Sequence, residues 1–116
     1  MRDPLERLRD ILEAAAAIQR HVPSNREAFD ENELLHGWFV RHLQIIGEAA
    51  RAVPQDVRDL APEVPWSKVV GMRNVLVHGH FGIDLDIVWL AATQDVPALT
   101  PHIQSLLRRL EEESDA

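Results

Sequence analysis

The chain has 116 residues, 12 Lys and Arg against 19 Asp and Glu, a formal charge of −7 with histidines neutral, and 46% hydrophobic residues. That length suits one domain around one core and is too short for two. The absence of cysteine excludes disulfides, thiolate catalysis and Cys-based zinc or iron–sulfur centres, and the acidic balance argues against a broad electrostatic nucleic-acid binder while leaving room for a local basic site.

The opening MRDPLERLRD alternates charges where a signal peptide needs an apolar stretch, and no apolar run approaches the roughly 18 residues of a membrane span. A soluble cytoplasmic protein is expected. From Asp3 to about His21, Leu5, Leu8, Ile11, Leu12, Ala15, Ile18 and Val22 recur at three- and four-residue steps, which predicts an amphipathic helix. Asp3 is its expected N-cap, with Pro4 at the first helical position and Glu6 three residues after the cap. The stretch PSNREAFDENE reads as a polar turn. Glu33 to Val53 reads as a second long helix, apolar on more than one stripe and therefore central. Pro54, Pro62 and Pro65 confine the next residues to a helical turn or loop. A third helix is expected from Trp66 or Ser67 to about His78, stopped by Gly79. Asp84 should cap a fourth helix, Leu85 to Thr93, and a last one should begin near Val96, with Pro97 and Pro101 in its first turns or kinking it. Residues 1–116 thus read as a single all-α domain, most simply an antiparallel four-helix bundle with an additional short helix. Residues 111–116 are expected as a mobile acidic tail.

Polar groups crowd into an otherwise apolar stretch at one place, Gly71-Met-Arg-Asn-Val-Leu-Val-His-Gly-His-Phe-Gly82. On a helix, Asn74 and His78 share a face, with Arg73 on the neighbouring one. A histidine at a helix C-terminus is held toward its protonated form by the macrodipole, and an arginine presents a charged fork suited to phosphate oxygens. Together they suit RNA cleavage without metal: a base takes the 2′-hydroxyl proton, an acid protonates the leaving 5′-oxygen, and the guanidinium stabilises the phosphorane charge. Spacing alone leaves the pair open between catalysis and ordinary hydrogen bonding. A rival arrangement is His78 and His80 with Asp84 and Asp86 as metal ligands, although both acids also suit a helix cap and first turn. Glu48, a carboxylate in an apolar helix, suits pairing with Arg73 or Arg41, or else a solvated edge. His21, His36, His42 and His102 are scattered and read as helix-end or surface residues. Trp38, Trp66 and Trp89 read as core or interface anchors, not a base-stacking platform.

The run RNVLVHGH, preceded by PWSKVVGM and followed by FGIDLDIVW, resembles the signature of the HepT-like branch of the HEPN superfamily, and RHLQIIGEAARAV resembles that family's central helix. The resemblance implies a homodimeric all-α bundle with a metal-independent ribonuclease site at the two-fold, built from an arginine, four to six intervening residues, then a histidine. It implies no cofactor, and a role as the toxin of a type II or type VII-like pair neutralised by a cognate minimal nucleotidyltransferase antitoxin. The family's arginine, following polar residue and histidine fall on Arg73, Asn74 and His78. Two residues beyond that histidine the family carries a tyrosine, to which the antitoxin transfers AMP; here His80 stands in its place, and the chain has no tyrosine. The resemblance then leaves three routes to neutralisation: a phosphoramidate on His80, modification of another hydroxyl, or simple blocking of the site, of which blocking is favoured. His80 also suits a second imidazole assisting proton transfer. The alternative function is a non-catalytic adaptor or nucleotide-binding subunit partnering a nucleotidyltransferase.

Overall fold

The structure, a computed structural model, describes residues 3–74 and 82–115. They form α1 (Pro4–Gln19), α2 (Arg26–Asp30), α3 (Glu33–Arg51), α4 (Gln55–Arg58), α5 (Trp66–Gly71) and α6 (Leu85–Leu90), then a π-helical turn (Ala91–Asp95) and α7 (Val96–Asp115). The all-α fold expected from the periodicity is the one observed, with more helical segments than the simplest bundle.

The long helices start where their caps dictate. Asp3 is extended and its carboxylate accepts from the Leu5 N–H at 2.8 Å, with Pro4 in the first helical position. Asn32 does the same for α3, accepting from the Leu35 N–H at 3.3 Å. Leu8, Ile11 and Ile18 of α1 and Phe39, Leu43 and Ile46 of α3 are fully buried in one core cluster, and among the described residues no polar or charged side chain is buried with them. α1 packs between α3 and α7, while α3 also carries α5. Hydrophobic burial therefore fixes α3, and α3 fixes what is mounted on it.

Three expectations are corrected. The polar stretch after α1 is not merely a turn: Asn25 accepts from the Ala28 N–H at 2.8 Å and starts α2, whose Phe29 is fully buried. The break expected near Thr93 is absent. The Val96 N–H donates to the Ala91 carbonyl five residues back, so a π turn joins α6 to α7. Pro97 has no N–H to continue the usual ladder, and a widened turn just before it accommodates that loss. Pro101 lies inside α7 without ending it, and the Thr100 hydroxyl beside it donates to the Val96 carbonyl at 2.9 Å. Finally, residues 111–115, expected as a tail, continue α7, where Glu111 accepts from Arg9 at 3.1 Å. Among the described residues no helix is long and apolar enough to cross a membrane.

Candidate active site

The C-terminal end of α5 is tighter than the predicted helix. Past Gly71 the N–H groups of Met72, Arg73 and Asn74 donate to the carbonyls of Val69, Val70 and Gly71, each three residues back. Such narrow turns often close an α-helix. The α-helix ends at Gly71 and Asn74 lies in the turn that follows it, while the helical face expected to join Asn74 to His78 falls outside the described residues. Asn74 itself is exposed. His78 and His80 lie outside the described residues.

Arg73 is placed by α3. An added Cβ on Gly47 would lie 2.7 Å from the Arg73 backbone nitrogen, 2.9 Å from its Cβ and 3.1 Å from the Val70 carbonyl oxygen. Glycine is therefore what lets the end of α5 touch α3. The adjacent Glu48 accepts a hydrogen bond from Arg73 Nη1 at 2.8 Å, and Arg51 lies 4.0 Å from its other oxygen. The hydrogen bond from Arg73 is the main reason the Glu48 carboxyl is held below the usual carboxylate range. Of the two partners anticipated for Glu48, Arg73 is the one observed. Arg73 Nε is buried with no hydrogen-bond partner among the described residues, and the side chain is 28% exposed. The guanidinium is thus anchored at one corner on a side chain that remains partly exposed, an arrangement suited to gripping an anionic oxygen.

The two carboxylates of the rival metal arrangement are otherwise engaged. Asp84 caps α6, accepting from the N–H groups of Asp86 and Ile87 at 3.1 and 3.2 Å. Asp86 accepts from Arg26 at 2.7 Å, which ties α6 to α2. Among the described residues no group of three or more His, Cys, Asp or Glu side chains is placed to hold a metal ion.

Gly47→Ala is expected to destabilise the fold by about 1–3 kcal/mol, because the clash falls on backbone that cannot swing aside. Gly37→Ala, on the same helix with nothing within 4 Å of its added Cβ, is expected to stabilise by about 0.5–1 kcal/mol. Urea unfolding midpoints check the opposite signs.

An all-α protein with a carboxylate-anchored arginine at a helix junction defines a broad class, and comparison with known proteins narrows it. Residues 11–106 match the family described as Ribonuclease HepT-like, and the chain belongs to that family of RNA-cleaving enzymes. It is 36% identical to "Putative RNase MJ1380" of Methanocaldococcus jannaschii over 89% of this chain and 95% of that one. It is 34% identical to "Putative RNase TTE0752" of Caldanaerobacter subterraneus, over 94% of this chain and 98% of the relative. A shorter stretch, 58% of this chain and 61% of the relative, is 39% identical to "Probable ribonuclease HepT" of Thermococcus cleftensis. No solved structure matches the chain.

Proposed function

We propose that the protein is a homodimeric, metal-independent endoribonuclease in which Arg73 grips the scissile phosphate, His78 transfers protons and Asn74 orients the imidazole or the phosphate. The observation that carries this reading is the Glu48–Arg73 contact at 2.8 Å, beside the close approach at Gly47. A guanidinium fixed before substrate arrives loses little orientation entropy on meeting the phosphorane, and charge stabilisation by such preorganised groups is typically the largest single contribution to catalysis. Two protomers related by a two-fold near the end of α5 would set two such arginines around one cleft, offsetting the acidic charge of each chain.

The family resemblance supports a toxin role with a cognate minimal nucleotidyltransferase as antitoxin. Because His80 replaces the tyrosine, neutralisation here works by blocking the cleft. The competing adaptor reading, in which the protein only holds a nucleotide or its partner, predicts harmless expression without that partner.

The test is cleavage of total RNA by purified protein with and without excess EDTA. Equal cleavage in both is the expected result. Cleavage lost on chelation overturns the metal-independent mechanism, and intact RNA in both, from protein that also fails to arrest growth, favours the adaptor.

A further inference from the structure

Most cations among the described residues are engaged. Arg9 pairs with Glu111, Arg26 with Asp30 and Asp86, Arg51 and Arg73 with Glu48, Lys68 with Asp95, and Arg109 with Glu113. Arg58 donates to the backbone carbonyls of Ala50, Arg51 and Val53. Arg7, Arg20, Arg41 and Arg108 make no such contact among the described residues.

Three of these four arginines line one groove between α1 and α3. Its first stretch, about 310 Å³, is bordered by Arg7, Arg41 and Glu48. Across the shared residues Asp10 and Ile45 it continues into a second stretch of about 340 Å³, bordered by Arg20, Trp38 and His42. Arg41 and Glu48 are seven residues apart on α3, two turns, so they share a face roughly 10 Å apart along the axis. Glu48 in turn holds Arg73. The groove therefore runs directly away from the anchored guanidinium.

We propose that this groove carries the single strand of RNA that extends from the cleavage site, its phosphates lying against Arg41 and Arg7 and, at the far end, Arg20. The proposal rests on the reading that Arg73 meets an RNA phosphate. Sequence-independent binding of single strands combines cations that track the backbone with aromatic surface beside them. Trp38 supplies that surface, 38% exposed with the His42 ring 4.3 Å from its own. The tryptophan meets Arg20 only in the fold, in the stretch of groove that both border. Asp10 and Glu13 on the same walls, with Glu48 at the groove's end already paired to Arg73 and Arg51, keep the attraction moderate, which suits a strand that must be released after cleavage.

The experiment measures binding of a 5′-labelled single-stranded RNA by fluorescence anisotropy across a salt series, in a His78→Ala background that prevents cleavage. The double substitution Arg7→Gln, Arg41→Gln is expected to weaken binding severalfold and to lower the slope of log affinity against log salt by about 1.4, at about 0.7 for each lost phosphate contact. Arg108→Gln removes the same charge from α7, where Arg108 lies beside Leu12 and Gln104, and is expected to leave both unchanged. Equal weakening by Arg108→Gln reduces the effect to bulk charge and overturns the proposal. So does an unchanged salt slope in the double variant, or its conversion from dimer to monomer in sedimentation, which assigns the groove to a second copy of the chain. RNA binding that needs Arg73 but not the groove arginines overturns the groove alone. No binding by the parent overturns the groove and the ribonuclease reading together.

Discussion

Arg73→Ala is expected to lower RNA cleavage by about 10²- to 10³-fold, equivalent to about 2.7–4 kcal/mol of transition-state stabilisation. His78→Ala is expected to lower it by about 10²- to 10⁴-fold, the range of a lost general acid or base. The two losses should not add, because the imidazole moves protons usefully only where the guanidinium holds the phosphate. Single-turnover cleavage of a labelled RNA measures both, and a loss below tenfold for either sinks its assigned role. Glu48→Gln separates positioning from chemistry. It keeps an acceptor for Arg73 Nη1 while removing the charge, so it should slow cleavage far less than Arg73→Ala. The pH sign follows from the pairing. The hydrogen bond from Arg73 depresses the folded-state carboxyl of Glu48, so the clamp is complete above the usual carboxylate range and is lost only as pH falls through that depressed value. A rate that declines between pH 8 and pH 5 therefore reports an imidazole, not Glu48.

The parts of this molecule readable from residues alone are those governed by local rules. Asp3 with Pro4 and the spacing of Leu8, Ile11 and Ile18 mark α1, and the broad apolar coverage of residues 33–51 marks a central helix, because capping and periodicity act within a few turns. Glu48 was legible for the same reason: a carboxylate among Ile46, Ala49 and Ala50 requires a partner or solvent. Gly47 was not, since its importance lies in how near another segment comes, and no spacing within α3 encodes that distance. Nor was the groove of Arg7, Arg20 and Arg41, whose members sit on two helices and meet only after packing. The π turn is not readable from residues alone, because Pro97 signals a missing donor without saying whether the backbone will break or widen. Asp84 and Asp86 illustrate the converse: residue types fit a metal site, while the folded positions use them as a cap and as an anchor for Arg26.

Phe29→Ala is expected to cost about 3–5 kcal/mol, the range for emptying a buried aromatic site. α2 has five residues, too few to be stable alone. Its place depends on what Phe29 touches. The ring is fully buried, stacked on Phe39 of α3 at 5.6 Å and tilted against Trp89 of α6 at 5.2 Å. His36 Nε2 donates to the Phe29 carbonyl at 2.7 Å, and Arg26 reaches Asp86 at the same distance. One aromatic ring thus joins α3, which carries the Glu48 anchor, to α6, which follows the segment containing His78. Removing it subtracts a large share of the 5–15 kcal/mol that stabilises a typical domain. Phe29→Leu should retain much of the packing, and Arg26→Ala, which breaks only exposed pairs, should shift the urea midpoint little. If Phe29→Ala costs under 1 kcal/mol, α2 is a surface appendage; if it costs the full amount, this helix is the brace between α3 and α6.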